Sequence, residues 1–321
     1  MPNREVTVLG QRIAKGKGAQ LNLDIAKLHT RTRIQVPIIV ERGKKEGPVL
    51  LITAGIHGNE INGIEIVRQF VSKGFHKPEA GMVICIPRVN VFGFLNQERY
   101  FPDGRDLNRV FPGSPRGSLT SRYAYHIIKE IAPLVDYCID FHTGGDSRFN
   151  IPQIRITEGD DESLKLAKVF DPPFIIANKN KDKSFRHTLF KLKKTVLLFE
   201  GGKSLNINDK VTRSGLFGAL KVLHHLNMRD FSEELTSIKS GKEGHKIVTD
   251  SAWLRAKYSG MFHPMVKLGK RVYKGEVIGS VSDPFGYFER NVKASFTGYV
   301  ICTNESPIVN QGDALFHISK D

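Results

Sequence analysis

Val49-Leu-Leu-Ile-Thr-Ala-Gly-Ile-His57-Gly-Asn-Glu60 decides how the rest of the chain is read. The apolar run Val49 to Ala54 ends in a glycine. After Glu60 the apolar residues recur at helical spacing, at Ile61, Ile64, Val67, Phe70 and Val71. That pattern predicts a buried strand, a tight turn and an amphipathic helix. His57 and Glu60 stand three apart where the helix begins, so both side chains can face one point. An imidazole and a carboxylate converging at the carboxyl end of a strand can hold a divalent metal. Taken alone, the stretch fits equally well a loop histidine and a first-turn acid favoured by the helix dipole.

Two more apolar strands end in reactive groups. Tyr137–Phe141 runs into His142, and Thr195–Phe199 runs into Glu200. Between such strands the pattern predicts helices over Ser121–Leu134, Ser163–Phe170, about 184–193 and Ser214–Leu226. Met82–Pro87 and Phe174–Ala177 read as further strands, and Arg33–Val40, which contains Pro37, as an edge strand. The alternation argues for an α/β unit with a parallel or mixed central sheet flanked by helices. Ligands in such sheets bind at strand carboxyl ends. His57, Glu60 and His142 then form the open three-ligand pattern of a catalytic zinc, one per chain. Asp140, two before His142, is either an acceptor behind the metal ligands that orients a histidine or a strand-end acid in a turn. Glu200 reads as the carboxylate that moves a proton for an attacking water, or as a turn glutamate before Gly201-Gly202.

Residues 90–118 are rich in Gly, Pro, Asn and Arg, and a loop that long is usually functional. In it, Asn108 and Arg109 can fix a substrate carboxylate. Arg99 can stabilise a developing oxyanion, and Arg105 competes for that role. Arg186 is a weaker candidate for a second substrate carboxylate. The other reading of each arginine is surface solvation.

The chain has 321 residues and a formal net charge of +15, with 40% hydrophobic residues. No apolar run approaches the ~20 residues that span a bilayer, and residues 1–5 lead into no signal-peptide core. Three dispersed cysteines, Cys85, Cys138 and Cys302, read as reduced thiols and fit the cytoplasm. The basic balance suits an anionic small substrate, nucleic acid or a membrane surface. With no zinc finger, aromatic RNA signature or basic tail, nucleic acid is disfavoured, and a homo-oligomer stays open.

Composition shifts in a polar stretch near 230–246, which divides the chain into 1–245 and a β-rich 246–321. The latter repeats itself: Ala256-Lys-Tyr-Ser-Gly260 returns as Ala294-Ser-Phe-Thr-Gly298, and Val272-Tyr-Lys-Gly-Glu-Val-Ile278 as Val309-Asn-Gln-Gly-Asp-Ala-Leu315. Two elements in order at nearly one offset indicate a duplication. This small all-β module resembles the sandwich of biotinyl/lipoyl-type domains, but its expected tip, Ser282-Asp283-Pro284, lacks the modifiable lysine.

Gly-Ile-His57-Gly-Asn-Glu60, Arg99-Tyr100, Asp106-Leu-Asn108-Arg109, Asp140-Phe-His142-Thr and Phe-Glu200-Gly-Gly occur in one order. Together they resemble the succinylglutamate desuccinylase/aspartoacylase family, relatives of the zinc carboxypeptidases. The resemblance implies a mixed eight-stranded sheet and a zinc on His57, Glu60 and His142, with Glu200 as acid/base. It also implies Asn108 and Arg109 on the substrate carboxylate, Arg99 at the carbonyl and Arg186 as a further substrate arginine. The expected activity is zinc-dependent removal of an acyl group from an N-acylated amino acid or similar small carboxylate. A peptide carboxypeptidase is the nearest alternative, and a non-catalytic basic binding protein an alternative of another class. Aspartoacylase uses a tyrosine in a segment similar to Asn304-Glu305-Ser306, where this chain continues with Pro307 and Ile308.

Overall fold

The computed structural model describes residues 6–27, 30–236 and 244–321. The N-terminal residues 1–5 and the centre of the polar stretch, 237–243, lie outside the described residues. A hairpin, β1 (Val6–Val8) and β2 (Gln11–Ile13), leads into β3 (Gly18–Lys27), β4 (Arg33–Arg42) and β5 (Lys45–Ala54). Then come α1 (Ile61–Ser72), β6 (Ala80–Ile86), α2 (Val91–Asn96), α3 (Leu119–Ile131), β7 (Tyr137–Gly144) and β8 (Arg148–Thr157). After these follow α4 (Asp161–Phe170), β9 (Phe174–Asn178), α5 (Phe185–Lys191), β10 (Thr195–Lys203), α6 (Asp209–His225) and α7 (Ser232–Thr236).

Eight of these strands form one mixed sheet in the order β3-β4-β6-β5-β7-β10-β8-β9. β6, β5, β7 and β10 run parallel, and β8 is antiparallel to β10. Leu50, Ile52 and Ala54 of β5 pack against the core of α1, α4 and α6, whereas Leu51 faces the opposite core with α3 and α5. Helices cover both faces, which is why β5 reads as an unbroken apolar run. Each buried leucine or isoleucine among them contributes about 1.5–3 kcal/mol.

β4 is not an edge strand, contrary to the reading of Pro37; β3 is the edge. β6 pairs only with Ile39–Arg42, so Pro37, opposite Asn22 of β3, lies beyond the reach of β6 and its missing N–H leaves no ladder position empty there. The 90–118 stretch contains α2 and a 3₁₀ turn at Leu107–Arg109. β3 alternates, with Ala19, Leu21, Leu23 and Ile25 on one face and Gln20, Asn22 and Asp24 on the other, whereas β8 carries no unbroken period.

The C-terminal strands are β11 (Lys246–Val248), β12 (Ser251–Arg255), β13 (Gly260–Pro264), β14 (Arg271–Val272), β15 (Val277–Ser282), β16 (Glu289–Lys293), β17 (Gly298–Asn304), β18 (Ile308–Val309) and β19 (Ala314–Ser319). The sequence repeat is also a repeat of strands. β13 pairs with β15 and β18, and its counterpart β17 pairs with β19 and β14. Each half therefore lends its short third strand to the other, with Gly260 opposite Val309 and Gly298 opposite Val272. This sheet-rich region joins the first one at two points: β17 pairs with β8, and β11 with β9.

α6 crosses α4 at Gly218, where a Cβ would lie 2.1 Å from the ring of buried Phe170. Alanine there gains about 1 kcal/mol of helix propensity but overpacks a filled core at about 1–3 kcal/mol. Gly218→Ala is therefore expected to lower the thermal unfolding midpoint, and a raised midpoint would show that propensity wins.

Candidate active site

Gly58 sets the path of the β5–α1 turn. A Cβ there would fall 1.8 Å from the backbone carbon of Gly93, so the turn lies directly on α2 and aims His57 inward. His57 Nδ1 is 2.6 Å from Glu60 Oε1, and His142 Nδ1, from the end of β7, is 2.9 Å from Glu60 Oε2. Donor atoms of these three residues lie within 4.8 Å of one another, and all three side chains are buried. The outer nitrogens also meet carboxylates: His57 Nε2 is 3.1 Å from Asp106 Oδ1, and His142 Nε2 is 2.8 Å from Asp140 Oδ2. Thr53 Oγ1 donates to the other oxygen of Asp140 at 2.7 Å, and the Thr143 amide to Glu60 at 3.1 Å.

Burial by itself would raise the Glu60 carboxyl, but the two imidazoles outweigh it and hold the acid far below the usual carboxylate range. Burial would lower His142, yet Asp140 and Glu60 push it well above the usual imidazole value. A divalent cation held here would displace the protons through which the imidazoles meet Glu60, leaving each outer Nε2–H on its carboxylate and both Nδ1 lone pairs facing the ion. That is the donor state a divalent cation requires, and the carboxylate–histidine pairs supply the orientation found around metal-ligating histidines. The donor set therefore fits a metal ion.

The cluster forms one end of a cleft of about 350 Å³. Glu200 lines it, with Oε2 accepting from Asn150 Nδ2 at 2.7 Å and Oε1 3.9 Å from Arg155 Nε. Arg99 donates to Asp106 Oδ2 through Nε and Nη2, at 3.2 and 2.8 Å, and reaches Glu60 Oε1 at 3.4 Å. Asn108 Oδ1 accepts from the Phe185 amide, which ties the arginine loop to the start of α5. Arg109 and Arg186 also line the cleft. Arg186 donates to Asn178 Oδ1 at 2.8 Å, while its buried Nη1 has no hydrogen-bond partner among the described residues. Burial, followed by the Arg155 charge, lowers its pKa to about 10. Arg105 is not brought to the cleft; it is exposed and pairs with Asp103 at 3.4 Å.

Asp106, Asn150, Arg155, Lys181, Trp253 and Cys302 also line or support the site. Asp106 stands inside a quoted motif, but only the fold shows that it meets His57. Asn150 and Arg155 lie on β8, which has no clean period. Trp253 and Cys302 reach the cleft because β12, β19 and β17 continue the sheet past β8.

Residues 46–226, more than half of the chain, match the succinylglutamate desuccinylase/aspartoacylase catalytic domain. The chain belongs to this family. The N-alpha-acetyl-L-2,4-diaminobutyric acid deacetylase of Halomonas elongata is 28% identical over 302 residues, covering 89% of this chain and 86% of that protein. A succinylglutamate desuccinylase/aspartoacylase family crystal structure from Rhodobacter sphaeroides matches with a TM-score of 0.83 at 25% identity, over 95% of each chain. The product-bound ectoine utilization protein of Ruegeria pomeroyi has the same fold, with a TM-score of 0.84 at 20% identity over 96% of this chain and 97% of that one.

His142→Ala removes one donor of the cluster and is expected to abolish stoichiometric divalent metal in the purified protein. Unchanged metal by elemental analysis would contradict the ligand set. A second test concerns His317, which is buried and stacks on Trp253 at 4.6 Å with an interplanar angle of 7°. Burial, then the Arg155 charge, pushes its pKa down to about 3. Below about pH 6.5 the unfolded chain takes up a proton that the folded chain refuses. The His317 contribution to stability is thus complete above that pH and is lost toward pH 3, at roughly 1.4 kcal/mol per pH unit. His317→Phe is expected to narrow the difference in unfolding midpoint between pH 7 and pH 4.5, and a difference equal to wild type would contradict the assignment.

Proposed function

We propose that this family member is a zinc-dependent amidohydrolase that removes the acyl group from an N-acylated amino acid or similar small carboxylate. The observation that carries the reading is the His57–Glu60–His142 cluster sharing one cleft with Glu200. One zinc ion held by those three residues would supply Lewis-acid polarisation of the scissile carbonyl and of a water. Glu200 takes a proton from the attacking water and delivers it to the leaving nitrogen. Arg99, anchored on Asp106 and Glu60, faces the carbonyl oxygen and balances charge that develops there. Asn108 and Arg109 hold the substrate carboxylate.

The electrostatics of the cleft support an anionic substrate. Arg99, Arg109, Arg148, Arg155, Lys181 and Arg186 line it against Glu60, Asp146 and Glu200. The deacetylase named for the Halomonas relative supports amide-bond chemistry on a small acylated amino acid. Trp253 and Cys302, from the C-terminal strands, wall one side of the cleft, which favours small molecules over peptide chains. In this reading 1–245 is the catalytic unit, and 246–321 is a biotinyl/lipoyl-like sandwich without a carrier lysine. No helix among the described residues is long and apolar enough to cross a membrane. The buried free thiols suit the reducing cytoplasm.

A panel of N-acyl amino acids, assayed with zinc-loaded and chelated protein, tests the activity. On the substrate so found, Glu200→Gln is expected to lower kcat at least about 100-fold with bound zinc unchanged. Wild-type turnover in that variant would refute the role of Glu200.

A further inference from the structure

We infer that Asn150 is the positioning residue for Glu200, turned onto the cleft by a bulge at Pro152 and clamped there by the C-terminal strands. The inference rests on the reading of Glu200 as the proton carrier.

β8 and β10 run in step at Leu198–Arg155, Phe199–Ile154 and Glu200–Gln153; the next pair is Gly202–Asn150. Two steps on β10 therefore match three on β8, which is a bulge. Pro152 lies within the longer span and has no N–H to contribute to a ladder, so breaking step there costs the sheet little. In a regular strand, residues an odd number apart point to opposite faces. Asn150 and Arg155 are five apart, yet both line the cleft. The bulge is what brings them to the same face.

On its other side Asn150 pairs with Cys302 of β17. Cys302 is opposite His317 of β19, and His317 is opposite Trp253 of β12. A row of paired residues thus runs from the C-terminal strands to Asn150, which is buried.

The chemical consequence follows from which oxygen is engaged. Oε2 of Glu200 accepts the Asn150 amide hydrogen at 2.7 Å, so Oε1 is the oxygen left to take the proton from water and return it to the leaving nitrogen. Oε1 is 3.9 Å from Arg155 Nε, which has no hydrogen-bond partner among the described residues. A charge-assisted contact closes at about 2.7–2.9 Å. Asn150 keeps Glu200 short of that contact. Without the amide, the carboxylate swings onto Arg155 and its proton-carrying oxygen leaves the reaction line.

The test uses metal-loaded full-length protein with Asn150→Leu, Asn150→Asp and Glu200→Gln, assayed on the N-acyl amino acid found by the panel. Asn150→Asp keeps the side-chain shape and replaces the donor with a carboxylate that also repels Glu200, which guards against a folding defect in Asn150→Leu. A displacement of about 1 Å at a reacting group costs up to about 100-fold. Both Asn150 variants are expected to lose about 10- to 100-fold in kcat, with KM within about threefold and metal content unchanged. A crystal structure of Asn150→Leu is expected to show the Glu200 carboxylate bonded to Arg155. Wild-type kcat in both variants, a loss confined to KM, loss of metal, or a Glu200 carboxylate that has not moved each overturns the inference while the Glu200 assignment stands. Wild-type turnover in Glu200→Gln overturns the parent reading and the inference together.

Discussion

The site depends on one buried carboxylate. Glu60 sits between two imidazoles at 2.6 and 2.9 Å, almost out of reach of water. An unpaired charge at such depth costs several kcal/mol, so the surroundings must supply compensation. They do so in layers: His57 and His142 face Glu60, and Asp106 and Asp140 face the histidines from behind. Arg99 then offsets Asp106 and reaches Glu60. The end of β7, the β5–α1 turn and the arginine loop must all be in position for these charges to balance. A cation among the inner atoms would complete the same balance, which would link metal affinity to the fold as a whole.

The tightness of the β5–α1 turn follows from this demand. His57 can reach Glu60 and Asp106 together only if the turn presses on α2, and Gly58 is the residue that allows the backbones to approach. The arginine loop is long because it must span from the cluster to the start of α5, where Asn108 accepts the Phe185 amide. An irregular segment can make these contacts at several angles where a helix or strand could not. Cationic charge also collects at Arg186 and Arg155, whose Nη1 and Nε have no hydrogen-bond partner among the described residues.

The C-terminal strands are part of this architecture rather than an appendage. In their duplication each half pairs its short strand with the other half, and β17 attaches the region to β8. The same attachment brings Trp253 and Cys302 to the cleft. These strands thereby wall one side of the cleft.

Much of this was legible in the chain itself. The buried strand, the turn and the amphipathic helix around His57 and Glu60 are local, because side-chain period is a property of neighbouring residues. So are His142 and Glu200 at strand ends, and the repeat after residue 246. Tertiary structure decided the rest. The exposure of Arg105 against the burial of Arg186, the pairing of Asp106 with His57, and the faces of Asn150 and Arg155 depend on register between strands distant in sequence. A bulge of one residue reverses which side chains face the cleft, and locally it shows only as a slip in alternation from Phe149 and Ile151 to Ile154 and Ile156 across Pro152. The sequence by itself determined which donors the site contains; the register and packing of the strands determined which of them meet.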